Sequence, residues 1–125
     1  MRRAVFFVNP LLAKRGNRRA VVESCAALLR AEGCAAEVRE TLSCGSAGEQ
    51  AREAVESGID TVFACGGDGT LFQVLQGVAG SDAALGVIPL GTGNVLARNL
   101  RLPRGALAAF RAQKDAAVIS IPLGE

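Results

Sequence analysis

The sequence predicts an α/β fold, a three-layer αβα sandwich around a mostly parallel sheet. Short apolar or β-branched runs alternate along the chain with stretches whose apolar residues recur at helical spacing, the pattern of βαβ units. Glycine or proline stands at most of the boundaries between them. At 125 residues, half of them apolar, the chain is one domain with enough material for a core.

The first run, residues 4–8, contains Val5, Phe6, Phe7 and Val8 and is too short for anything but a strand. Asn9-Pro10 stops it, because the residue before a proline is held away from helical geometry and the ring turns the chain. Val21, Val22, Cys25, Leu28 and Leu29 then fall at i, i+1, i+4, i+7 and i+8, one face of a helix that Gly33 ends. Residues 35–41 form a second strand. Ser46 and Glu49 have the spacing of a capping box, which opens a helix running to Gly58 with Ala47, Ala51, Ala54 and Val55 inward. Residues 61–65 read as a fully buried central strand leading straight into Gly66, and helical spacing resumes over 71–79. Residues 84–89 make a fourth strand, followed by Leu90, Gly91, Thr92, Gly93 and Asn94. Helical pieces from about Val95 and after Pro103 lead to a fifth strand over 117–122. No internal repeat or linker divides the chain.

Fourteen Lys and Arg against twelve Asp and Glu leave a net charge of +2, with the two signs interspersed, so no nucleic-acid partner is expected. The denser cluster of Lys14, Arg15, Arg18 and Arg19 reads as a solvated face, with attraction for phosphate or anionic lipid as the alternative. There is no His, and Cys25, Cys34, Cys44 and Cys65 form no CxxC pair, which excludes zinc-site spacing and any His-dependent triad. We therefore expect no metal site built from this chain and read the cysteines as reduced thiols of a cytoplasmic protein. No apolar run approaches the roughly 18–20 residues of a membrane-spanning helix, so membrane contact would be transient and peripheral.

In such a fold the loops after the strands share one edge of the sheet, and ligands bind there. Gly66-Gly67-Asp68-Gly69-Thr70 lies between a buried strand and a helix, where backbone N–H groups and the helix dipole face an anion. Three glycines in four residues let the backbone approach phosphate oxygens and take up positive φ. A plain tight turn needs neither three glycines nor an intervening Asp. Gly91, Thr92, Gly93 and Asn94 repeat the arrangement one strand later, and neither loop matches the P-loop or dinucleotide fingerprint.

Taken together, Asn9-Pro10 after strand one, Thr41 after strand two, Gly66-Gly67-Asp68-Gly69-Thr70 after strand three and Pro89-Leu90-Gly91-Thr92-Gly93-Asn94 after strand four resemble the diacylglycerol kinase catalytic domain family of bacterial lipid kinases. The resemblance spans nearly the whole chain and implies a nucleotide lobe like those of NAD kinase and phosphofructokinase. It implies ATP and Mg²⁺ as cofactors and ATP contacts by Asn9, Pro10, Thr41, Gly66, Gly67, Asp68, Gly69, Thr70, Leu71, Phe72, Gly91, Thr92, Gly93 and Asn94. Asp68 is the candidate catalytic residue, organising Mg²⁺ or the transferred phosphoryl group.

The sequence departs from the family pattern where Leu11, Leu12 and Ala13 replace Ser-Gly after Asn-Pro, and where Phe72-Gln73 replaces Asn-Glu. The family's second, β-rich domain, which supplies acidic metal ligands, a catalytic Asp and much of the lipid pocket, is absent from these 125 residues. The end at Glu125, right after a predicted strand, reads as a boundary inside a longer protein, and surface bared there favours self-association. The implied function is ATP-dependent phosphorylation of a lipid hydroxyl such as that of diacylglycerol. An NAD kinase, a sphingosine- or ceramide-type kinase and a non-catalytic nucleotide-binding module are the competing readings.

Overall fold

A computed structural model of the chain describes residues 2–10, 18–42, 46–89 and 110. Four strands, β1 (Arg3–Val8), β2 (Ala35–Glu40), β3 (Thr61–Gly66) and β4 (Ala84–Pro89), alternate with three helices, α1 (Arg18–Ala31), α2 (Ala47–Glu56) and α3 (Asp68–Val78). The strands form one parallel sheet in the order β2-β1-β3-β4. The α/β class and the parallel sheet follow the sequence reading. The fifth strand, expected over 117–122, and the helical pieces beyond Asn94 lie outside the described residues, apart from Phe110.

Strand alternation divides the core in two. On one face Ala4, Phe6 and Val8 of β1 join Phe63 and Cys65 of β3, Val22, Cys25, Ala26 and Leu29 of α1, Ile88 and Phe110. On the other, Val5, Phe7, Val62, Ala64 and Val87 meet Ala47, Ala51 and Ala54 of α2 and Leu71, Val74 and Val78 of α3. Parallel crossovers keep one hand. The chain steps from β1 outward to β2, then reverses past β1 to β3 and β4, so the helix must change face at the reversal. That is the observed division, with α1 on one side and α2 and α3 on the other.

Phe6 and Phe63 are register partners on β1 and β3, and their rings stack 4.5 Å apart at 8°. Phe110 leans on both, at 5.9 and 5.5 Å. Gly86 on β4 is register partner to Phe63, and a Cβ there would run into the Phe63 ring. Where α2 crosses α3 the backbones come so close that a Cβ on Gly77 would collide with the Gly48 carbonyl, and one on Gly48 would lie 2.8 Å from the Gln73 carbonyl oxygen.

Helix ends follow the sequence at one terminus and depart from it at another. Gly33, at φ +90°, and Gly58, at φ +106°, close α1 and α2 with paired reverse-turn hydrogen bonds. The Cys34 N–H donates to Leu29 O and the Ile59 N–H to Ala54 O, burying the residue after each glycine. At the start of α2 the expected capping box does not form. Ser46 has helical φ and ψ and makes no side-chain cap; its hydroxyl instead meets Gln50 Oε1 at 3.2 Å.

The strand starts are fastened by Asp60. Its carboxylate accepts the backbone N–H of Arg2 at 2.8 Å and of Arg3 at 3.1 Å, and the Thr61 hydroxyl at 2.8 Å. Burial pushes the Asp60 carboxyl up, but the hydrogen bonds from Arg2, Thr61 and Arg3 outweigh it and hold the group below its ordinary value. A carboxyl lowered on folding stabilises the native state above its unfolded pKa, and that stabilisation is lost as pH falls through the folded pKa. In denaturant titrations Asp60→Asn should cost about 1 kcal/mol at neutral pH, the order of a typical hydrogen bond, and the gap to wild type should close under acid conditions. Gly77→Ala should lose about 1–3 kcal/mol by overpacking, outweighing the roughly 1 kcal/mol of helix propensity it gains.

Candidate functional site

The strand order reverses between β1 and β3, and in an open parallel sheet the loops at the strand ends diverge at that point and leave a crevice. In this chain the two loops are Asn9-Pro10 and the residues after Cys65. Val8 is level with Glu40 on one side and Cys65 on the other, and Gly66 is level with Pro89. The ladder continues one residue past β1 and β2, the Asn9 N–H donating to Cys65 O at 3.3 Å and the Thr41 N–H to Val8 O at 3.0 Å. Thr41, Asn9, Gly66 and Pro89 therefore lie in a row along one edge, about 14 Å from first to last at the usual strand spacing.

At the centre of that row the glycine motif is half strand and half helix. Gly66 ends β3 and pairs with Pro89, Gly67 is the N-cap of α3, and Asp68, Gly69 and Thr70 are its first turn. The helix thus begins three residues before the expected start at Leu71. Its first backbone bond runs from the Leu71 N–H to Gly67 O at 3.1 Å, and no side chain caps it. The N–H groups of Asp68, Gly69 and Thr70 precede that bond and have no intrahelical acceptor, so they face the sheet edge with the positive end of the helix dipole.

The glycines here do not serve the conformation that the sequence reading expected. Gly67 is extended, at φ −91° and ψ −171°, and positive φ among the described glycines is confined to Gly33, Gly58 and Gly80. Nor does packing among the described residues require them: a Cβ on Gly67 or Gly69 would meet none of those residues within 4 Å. Gly48, Gly77 and Gly86 are small because the protein touches them. Gly67 and Gly69 have no described residue against them.

The other expected contacts are placed as follows. Thr70 and Leu71 are buried, Leu71 among the apolar residues under α3, so the Leu71 side chain belongs to the core. Phe72 is 59% exposed one position further along, and Leu42, next to Thr41, is 80% exposed. Asn9 and Pro10 are half-buried at the end of β1. Gly91, Thr92, Gly93 and Asn94 lie outside the described residues, as do Lys14, Arg15 and Cys44. Arg19, from the basic cluster, is held by Glu23 at 3.5 Å and by Glu40 at 3.4 Å.

Beneath the motif Cys65 is fully buried, and burial first, then Cys25, pushes its thiol well above the ordinary value, which keeps it protonated and unreactive. Cys25, Cys34 and Cys65 are buried, and none is in a disulfide. Among the described residues no three His, Cys, Asp or Glu gather into a metal-binding group, and no helix is long and apolar enough to cross a membrane.

Sequence reasoning missed Gln50. Its side chain bonds Glu40 O, Leu42 N and the Ser46 hydroxyl, tying the end of β2 to α2. No periodicity marks such a residue; the only signal is a polar amide one helical turn after Ser46.

An open α/β sheet with a glycine-lined helix terminus at its switch point offers a geometry that suits an anion. Over residues 3–125 the chain matches the family described as the diacylglycerol kinase catalytic domain, and it belongs to that family. It is 33% identical over 126 residues to a diacylglycerol kinase of Staphylococcus epidermidis, covering 99% of this chain. It is 37% identical over 102 residues to the "Probable lipid kinase YegS" of Escherichia coli, covering 78% of this chain. The chain spans 40% of the length of the first relative and 34% of the second. A crystal structure of a diacylglycerol kinase from Bacillus anthracis superimposes with a TM-score of 0.73 at 27% identity, over 87% of this chain and 40% of that one.

Because neither glycine is required by the fold, Gly67→Ala and Gly69→Ala should leave thermal stability within about 1 kcal/mol of wild type, Gly69→Ala gaining slightly from helix propensity. A loss as large as that expected for Gly77→Ala would show that packing, and not open space, selects glycine in the motif.

Proposed function

We propose that this chain is the nucleotide-binding part of a lipid kinase that transfers the γ-phosphoryl group of ATP to a lipid hydroxyl such as that of diacylglycerol. The reading rests on one observation above the others. Gly67 and Gly69 stand at the N-terminus of α3, where a side chain would meet none of the described residues. Membership of the diacylglycerol kinase family favours this reading over an NAD kinase.

In this reading the amides of the first turn of α3 hold phosphate oxygens, and Gly66, Gly67 and Gly69 let the triphosphate approach the backbone. Asn9 and Pro10 wall the crevice on the β1 side, Thr41 extends it toward β2, and Phe72 flanks it. Gly91, Thr92, Gly93 and Asn94, outside the described residues, are assigned contacts with the same phosphates by the family resemblance alone. Leu71 serves by anchoring α3 in the core.

Phosphoryl transfer relies chiefly on alignment and on dipoles already aimed at the charge of the transition state. Backbone amides at a helix terminus suit this role because they are oriented before the substrate arrives. Mg²⁺ would be brought by the triphosphate and would supply neutralisation of the charge that develops on transfer. Asp68, the one carboxylate of the motif, orients the phosphates or their counter-ion. The base that takes the acceptor's proton and the lipid pocket come from outside these residues, in a protein whose relatives are more than twice this length. Such a kinase works in the cytoplasm, in transient contact with the membrane that holds its lipid, and the isolated chain self-associates through the surface that a second domain would cover.

Calorimetric titration with Mg·ATP tests this directly. Wild type should bind, Gly67→Val should bind at least about tenfold more weakly, a loss of roughly 1.4 kcal/mol, and Asp68→Ala should weaken the dependence on Mg²⁺. No heat from wild type would overturn the nucleotide reading. Substantial phosphorylation of diacylglycerol by the 125-residue chain alone would overturn the division of labour.

A further inference from the structure

Thr41 is fixed from both sides, and one side chain makes the outer half of the grip. On the inner side the Thr41 N–H continues the β1–β2 ladder onto Val8 O at 3.0 Å. On the outer side β2 has no strand neighbour among the described residues, since it is the edge of the sheet. There the Gln50 amide takes the place of one. Its Nε2 donates to Glu40 O at 3.3 Å, and its Oε1 accepts the Leu42 N–H at 3.0 Å.

The two bonds go to the residues on either side of Thr41. In a parallel ladder a single residue of the neighbouring strand serves the carbonyl before and the amide after a given position. Gln50 reproduces that pattern with its side chain, and its orientation is dictated by its partners, because a carbonyl requires the NH₂ and an amide N–H requires the oxygen. The Ser46 hydroxyl, at 3.2 Å from Oε1, adds a third bond from the residue that precedes α2. Gln50 itself is carried by the first turns of α2, which is pinned to α3 through the Gly48–Gln73 and Gly77–Gly48 contacts. The edge strand and the helix bearing the glycine motif are thereby placed in one frame.

We infer that Gln50 is a positioning residue of the nucleotide site, holding Thr41 at a fixed distance from the N-terminus of α3. This rests on the nucleotide reading above. Gln50 touches no nucleotide itself; it acts through Thr41.

The test is a double-mutant cycle on the 125-residue chain with Mg·ATP as the titrant, measured by calorimetry. Gln50→Ala should weaken binding about three- to tenfold, and in a Thr41→Ala background the same change should weaken it less than twofold. Gln50→Met makes neither bond and adds no charge, so it should weaken binding as Gln50→Ala does. It is close in size and safeguards the test if the alanine variant folds poorly. Equal affinity of wild type and both Gln50 variants overturns the inference alone. An undiminished loss in the Thr41→Ala background also overturns it, since Gln50 would then act by another route. Failure of wild type to bind overturns the nucleotide reading and this inference with it.

Discussion

The parallel pairing of β1 with β3, sealed by the Phe6–Phe63 stack, governs everything built on this sheet. Because these strands are neighbours in space and separated in sequence by β2, the chain must leave β1 in one direction and return in the other. The reversal forces α1 onto one face and α2 and α3 onto the opposite one. It also opens the crevice between Asn9 and the glycine motif, which no arrangement of consecutive neighbours would produce. An aromatic pair at the centre suits this duty: two stacked rings bury a large apolar area and add an orientational preference of about 0.5–1.5 kcal/mol. Gly86 is the concession made by β4, its missing side chain giving the Phe63 ring room to lie flat.

The glycines show how one residue type serves three physical demands in a single domain. Gly33 and Gly58 supply positive φ at helix ends, where a Cβ would clash with the chain itself. Gly48, Gly77 and Gly86 supply volume, where a Cβ would clash with a neighbouring element. Gly67 and Gly69 supply neither, and their backbone is accessible in a conformation that any residue adopts. Only this third group answers no demand of the described fold, and the sequence alone does not separate it from the others. The reading of the motif as a source of positive φ was wrong for that reason: density of glycine is visible in a sequence, whereas the demand each glycine answers depends on what stands opposite.

Legibility of the rest divides along the same line. Short apolar runs marked β1 and β3, which are buried on both faces, and helical spacing marked the three helices, because burial of one face recurs every third and fourth residue. Gly33 and Gly58 announced their helix ends because the reverse turn is a local structure. Features that depend on partners distant in sequence left no such mark. Ser46 and Glu49 satisfied the capping pattern, yet Ser46 turns to Gln50, which in turn reaches back to Glu40 and Leu42. Nothing in the sequence pattern singles out Asp60, and it fastens Arg2 and Arg3 across 58 and 57 positions. Of the candidate site, the glycine motif and the residues at neighbouring strand ends were legible; the bonds that hold Thr41 in place were not.

Charge along the ligand edge follows from the same geometry. Glu40 ends β2 one residue before Thr41, and an unpaired carboxylate there would repel any polyanion bound in the row. Arg19 reaches Glu40 at 3.4 Å from the first turn of α1 while holding Glu23 at 3.5 Å. With side chains 42–49% exposed, these contacts contribute about 0–1 kcal/mol each to folding and do not explain themselves as stability. Their larger effect is on the local field. A cation shared by two carboxylates leaves the end of β2 with less net negative charge, so the positive end of the α3 dipole acts on the crevice with less opposition. Arg19, in the first turn of α1, therefore acts by neutralising an acid of the fold, a role that a count of positive residues would assign to the ligand.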